Sequence, residues 1–127
     1  MLSKTEILSP RKPEIRYVDV PEWGGKIGIA VPTLRELEQF ENRQSKQTRA
    51  GNGLVGFRAR VAILACVNDD GSKMFTQDDE AALCDQPAKA LIRIHDAIAP
   101  LLGWTNDSLE ERAKNSQTTT EGDSTTD

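Results

Sequence analysis

Val20-Pro21-Glu22-Trp23-Gly24-Gly25-Lys26 lies between two runs of alternating apolar residues, Ile15 to Val20 and Lys26 to Val31. Two consecutive glycines can take the positive φ angles of a tight two-residue hairpin turn, since neither has a Cβ to clash with the backbone. A turn at Gly24-Gly25 sets Trp23 opposite Lys26, Val20 opposite Ile29 and Val18 opposite Val31. Side chains alternate along a strand, so Val18, Val20, Ile27, Ile29 and Val31 then share one face of a two-stranded ribbon. Pro21 is tolerated where its missing N–H points outward at an edge. Two strands alone are marginal in water. The apolar face therefore needs a cover of helices, another short strand or a partner chain.

The chain around this hairpin has 127 residues, of which 37% are hydrophobic. That length suits one domain with a modest core. The low apolar content implies that part of the chain adds nothing to the core. From Gln117 onward there is no large apolar side chain to offset the entropy of ordering. The net charge of −4 is concentrated beyond Trp104, where six acids and two bases follow, leaving a neutral body. A neutral body with an acidic tail exerts no general pull on nucleic acid or anionic membranes. Cys66 and Cys84 sit in apolar helical patterns and no signal sequence leads the chain, which suits a reducing cytoplasm. The longest apolar run, Val61 to Val67, is far below the roughly 20 residues that span a bilayer.

Working outward, residues 1–14 carry Ser9-Pro10 and Lys12-Pro13 and read as an irregular lead-in. Thr33-Leu34-Arg35-Glu36 matches a capping box and should start a helix with Leu34, Leu37 and Phe40 on one face. Gly51-Asn52-Gly53 breaks it. Leu54, Phe57, Val61, Leu64 and Ala65 then have helical spacing as far as Val67, ending at the turn sequence Asn68-Asp69-Asp70-Gly71. Met74-Phe75 reads as short and extended, and Thr76 as the N-cap of a short helix carrying Ala82 and Leu83. Pro87 suits the first turn of a last helix with the stripe Leu91, Ile94, Ile98 and Leu101 or Leu102, closed by Gly103. Ser108 to Lys114 reads as weakly helical. The expected fold is α+β, an N-terminal β-hairpin or small antiparallel sheet packed against three to four helices. Residues 15–104 are expected to form the single domain, and 105–127 to be weakly helical and then a disordered acidic tail.

No catalytic constellation, cofactor motif or metal site emerges. An EF-hand reading of the Asp69-Asp70-Gly71 turn puts its first and last ligands at Cys66 and Gln77, neither of them the carboxylate that calcium needs. His95 is the only histidine and lies on an apolar helix, where a structural role is the ordinary one. The two cysteines lack the close spacing of a zinc or redox pair, and phosphate-cradling and hydrolase motifs are missing. Arg43, Lys46, Arg49, Arg58 and Arg60 form a basic stretch without interleaved aromatics, which reads as a solvated helix end and loop rather than a phosphate surface. Trp23 and Trp104 would each bury about 150 to 250 Å² if packed. Trp23, at a hairpin tip, is either core or an interface anchor, because tryptophan is enriched among binding hot spots.

Taken in order, the Val-Pro-Glu-Trp-Gly-Gly hairpin, the polar-capped helix, the apolar helix ending in Asn68-Asp69-Asp70-Gly71, Met74-Phe75-Thr76 with acids after it, a further helix and Ala113-Lys114-Asn115-Ser116 resemble the tail assembly chaperones of long-tailed bacteriophages. The resemblance spans roughly Val18 to Ser116 and rests on order and spacing. It implies a protein that is not an enzyme, works in the host cytoplasm and does not enter the mature virion. Its implied partners are the tape measure protein, whose hydrophobic helices it keeps soluble, and the tail tube protein, which it helps to recruit. It also implies a longer product made by ribosomal frameshifting, for which Lys114-Asn115 could supply an adenine-rich slippery run. Trp23, Phe57 and Trp104 are the expected protein-binding anchors, and the uncovered hairpin edge invites self-association. An alternative from another class is a structural minor tail or head-to-tail connector protein of the virion. A small nucleic-acid-binding regulator using Arg43 to Arg60 is a third.

Overall fold

β1 (Arg16–Val20) and β2 (Gly25–Ile29) form the expected antiparallel hairpin in the computed structural model, which describes residues 1–104. Its register differs from the sequence reading. Val20 pairs with Gly25, Val18 with Ile27 and Arg16 with Ile29, so the loop is the four residues Pro21 to Gly24 and not Gly24-Gly25 alone. Pro21, with no N–H to give a ladder and φ fixed near the helical value, ends β1 and opens a 3₁₀ turn over Pro21–Trp23. Gly24 closes that turn at φ 76°, donating its N–H to the Pro21 carbonyl at 3.0 Å. Val20 thus faces Gly25 instead of Ile29, a displacement of four positions. An even displacement keeps every side chain on its original face. Val18, Val20, Ile27 and Ile29 therefore still share the inner face, while Val31 falls beyond the strand and is exposed.

The chain then turns into α2 (Leu34–Arg49), capped reciprocally by Thr33 and Glu36 as the sequence predicts. α3 (Phe57–Ala65) is the central helix: seven of its nine residues are buried, so it has no solvent stripe. Leu54, expected on that helix, lies outside it and is exposed, because Gly56 in the left-handed region marks the true start. The far end of the apolar run also leaves the helix. Cys66 turns extended and, with Val67, forms β3 (Cys66–Val67) against β2, giving the sheet order β1-β2-β3. A continuous apolar run does not distinguish a buried helix from a buried strand. The free edge of β2 decides it, since its backbone groups need partners.

After the Asn68–Ser72 turn, Lys73 bridges to Val67, and Met74 donates its N–H to the Cys66 carbonyl at 3.1 Å. Thr76 caps a 3₁₀ turn (Gln77–Asp79) that runs into α4 (Glu80–Cys84), followed by α5 (Ala88–Ile98) and a last 3₁₀ turn, Pro100–Leu102, ended by Gly103. The fold is α+β, a three-stranded antiparallel sheet with five helices. α5 packs on α3 and β1, and the core joins Val20, Ile27 and Ile29 of the sheet to Val61, Leu64, Leu91, Ile94 and Ile98.

The N-terminal segment differs from the irregular lead-in expected over 1–14. Lys4–Leu8 form a short helix, α1, closed by a second capping box in which Ser3 Oγ accepts the Glu6 N–H and Glu6 Oε1 accepts the Ser3 N–H. The prolines act where they should, just after it: the helix stops at Leu8, ahead of Ser9-Pro10. The expectations for Ser108 to Lys114 and for the acidic tail lie outside the described residues.

Candidate protein-binding groove

The hairpin tip is held down at two points. Glu22 receives both Nε and Nη2 of Arg93 on α5, at 2.7 and 3.0 Å, a bidentate pair that keeps its carboxyl below the ordinary range. Trp23 Nε1 donates to Gln86 Oε1 at 3.0 Å, just before α5. With its N–H satisfied there, the half-buried indole lines an open groove of about 300 Å³ together with Ile27, Met74, Phe75, Asp79, Ala82, Leu83 and Gln86. Ile27 and Leu83 are buried and form its floor. A second groove of about 250 Å³ lies between α2, α3 and the 73–77 segment. Phe40, Ile63, Leu64 and Phe75 supply its apolar surface, with Glu36, Arg43 and Lys73 among the polar lining. Phe75 lines both, so the two lobes share one aromatic side chain.

Of the three expected anchors, the structure places only Trp23 on this surface. Phe57 and Trp104 are buried in an aromatic cluster with Phe40 and His95, ring centroids 5.9 to 6.5 Å apart, and present no face to a partner. A core centred on a nearly all-buried helix has to draw in the largest rings at hand. Phe40 joins the cluster to the surface, stacking on Trp104 on one side and lining the second lobe on the other. Met74, Phe75 and Leu83 were not expected at a binding surface. The signal for them was a lone apolar pair between a turn and an N-cap, and a leucine on a helix of five residues, each too short for periodicity to show a face.

The basic stretch is not one surface. Arg60 is buried, giving Nη1 to Glu80 Oε2 at 3.0 Å and to the Val55 carbonyl at 3.0 Å, and both Nε and Nη2 to Gln44 Oε1. Arg43 takes the other Glu80 oxygen at 2.7 Å. The two arginines thus clamp α2, α3 and the 53–55 loop onto α4, which leaves Lys46, Arg49 and Arg58 exposed.

His95 is buried, with Nδ1 3.0 Å from Asp96 Oδ1 and its other ring nitrogen unpartnered among the described residues. In the Asn68–Ser72 turn, Asp70 Oδ1 accepts from both Oγ and N–H of Ser72, which lowers its pKa and spends the carboxylate on the turn itself. Among the described residues no group of three or more His, Cys, Asp or Glu is placed to hold a metal ion, and no helix is long and apolar enough to cross a membrane. Comparison of the chain with protein-family models, with curated proteins and with solved structures returns no match.

Proposed function

We propose that this protein is a tail assembly chaperone of a long-tailed bacteriophage, a binding protein and not an enzyme, which holds apolar helical segments of the tape measure protein in solution while tail tube subunits assemble. The observation that supports this reading is the two-lobed apolar groove around Phe75, edged by Trp23. An amphipathic helix recognised through its apolar face needs an open groove with large, adaptable side chains along it. Met74 is such a side chain, unbranched, polarizable and 37% exposed at the groove. The ordered markers from Val18 onward lend the family, and the groove lends the means.

Co-expression with the tape measure protein of the same phage tests it. The wild-type chain should raise the soluble fraction of that protein, and Met74→Asp, which puts a charge on the groove, should lose most of the gain while remaining folded itself. Equal solubility with and without the chain would sink the proposal. So would mass spectrometry that finds the chain in whole copies in purified particles, which would make it a structural part.

A further inference from the structure

The N-terminal arm is folded but covered by nothing. α1 buries none of its residues, and Leu2, Ile7 and Leu8 are 64%, 54% and 70% exposed. A capped helix that displays its large apolar side chains to water is a binding element without its partner. The path of the chain favours a partner outside its own body. Ile15 lies over Gly28 of β2, where an added Cβ would meet its Cγ2 at 3.0 Å, and the Pro13 ring lies 3.1 Å from the Cβ position of Gly71 in the Asn68–Ser72 turn. The arm therefore leaves the body from the outer side of the sheet, on the face carrying Tyr17 and Gly28. The groove beside Trp23 opens with Ile27, which points to the inner side. Between the two, Ser9 turns extended at the end of α1, and Arg11 Nη2 donates to the Glu6 carbonyl at 3.0 Å, which ties the following residues to the helix end.

Arm and groove are also opposite in charge. Residues 1–13 hold Lys4, Arg11 and Lys12 against Glu6 alone. The groove beside Trp23 is lined by Asp79 and by no base; the sequence neighbours of its lining residues add the exposed carboxylates of Asp78 and Asp85, whereas Lys26 lies on the opposite face of the sheet and Lys73 is paired with Glu36. None of these three aspartates is in an ion pair among the described residues.

We propose that the arm of one copy docks Leu2, Ile7 and Leu8 into the groove between Trp23 and Leu83 of a second copy, with Lys4 set against the aspartates at its edge. Exchanged reciprocally, the arm-to-groove contact closes as a two-fold dimer; passed head to tail it is heterologous and gives a ring where the rotation closes and an open chain where it does not. It concerns the same groove as the client reading but does not depend on it, since self-association is measured with no client present.

The test is sedimentation velocity on the full chain over a range of concentrations, with two variants. Ile7→Asp combined with Leu8→Asp spoils the arm, and Ala82→Arg spoils the groove. All three positions are exposed, so far-ultraviolet circular dichroism and the urea midpoint should stay at the wild-type values. The wild type should sediment as a dimer or larger species that weakens with added salt. Each variant alone should be monomeric. An equimolar mixture of the two should recover an oligomer, because the arm variant offers an intact groove and the groove variant an intact arm. A wild type that stays monomeric at every concentration overturns the proposal, as does an oligomer that survives in the arm variant or a mixture that stays monomeric. A monomeric wild type in which a residue-8 crosslinker labels α4 of its own chain would show docking within one copy instead.

Discussion

Replacing Glu80 by alanine should be among the most damaging single changes on the polar side of this fold, although Glu80 lies outside the apolar core. Its two carboxylate oxygens answer two arginines of different standing. The Arg60 side chain is 2% exposed and that of Arg43 is 31% exposed. Removing one partner of a buried pair leaves an uncompensated charge in a poor solvent, at about 3–5 kcal/mol. Arg60 keeps its bonds to Gln44 and to the Val55 carbonyl, so its donors stay occupied while its charge is no longer balanced. The Glu80 side chain is 23% exposed, which lets water take part of its place and puts the expected loss at the lower end, about 3 kcal/mol. Arg43→Ala breaks a pair that water already reaches and should cost about 0–1 kcal/mol. A third variant separates charge from contact: Arg60→Met combined with Glu80→Leu removes both charges and should be more stable than Glu80→Ala alone. Urea unfolding with an unchanged slope gives the three values. Against a total of about 5–15 kcal/mol for a domain, a loss of about 3 is easily measured. If Glu80→Ala and Arg43→Ala cost the same, Arg60 is not buried as a charge and the clamp has been misread.

The two cysteines should react at very different rates. Burial pushes the Cys66 thiol up to about 12, whereas Cys84 is exposed, so one thiol should be alkylated in the native protein at pH 8 and the second only after unfolding. Fast labelling of both in the native state would contradict the burial of Cys66 on β3. Glu22 is held below the ordinary carboxylate range chiefly by the hydrogen bonds from Arg93. The folded state then binds that proton less readily than the unfolded chain. The pair adds stability above the unfolded pKa and loses it as the pH falls through the folded value. Melting temperatures measured from pH 7 to pH 3 should therefore show wild type and Glu22→Gln converging in acid, and a constant gap would rule the linkage out.

Local chemistry made much of the fold legible in the sequence. The Thr33 and Thr76 caps, the Gly103 stop and the α5 stripe each depend on residues within a few positions of one another, and each stands where its pattern puts it. The hairpin shows how far such reasoning carries. Its face assignment survived a wrong register because the displacement was even, and the register failed because Pro21 was weighed as a tolerated strand residue when its fixed φ makes it the start of the turn. The strand at Cys66–Val67 was not legible, since the reason for it lies 37 residues upstream in the edge of β2, where Ile29 pairs with Cys66. α1 has a simpler basis: Ser3 and Glu6 form the same capping box that starts α2, and Pro10 and Pro13 lie beyond the helix they were expected to prevent.

The groove was legible only through Trp23. A large ring has the same sequence signature whether it fills a core or edges a surface, and only the packing around α3 sent Phe57 and Trp104 inward. What makes Phe75 the centre of the surface is not its own neighbourhood in the chain but how firmly that neighbourhood is tied down. Lys73 bridges to Val67 and gives its Nζ to the Leu64 carbonyl at 2.5 Å, the Met74 N–H reaches the Cys66 carbonyl, and the Thr76 N–H is held by Asp79 at 2.9 Å. A segment fixed at Lys73, Met74 and Thr76 presents the Phe75 side chain without further ordering, so a helix docked there as proposed would forfeit its own freedom and little of the protein's. Adaptability is left to Met74 and to the long polar side chains around the second lobe, Gln39 and Gln77. A rigid frame with a pliable lining suits many helices of related pattern better than one of fixed sequence, because the frame limits the entropy lost and the lining absorbs differences in shape.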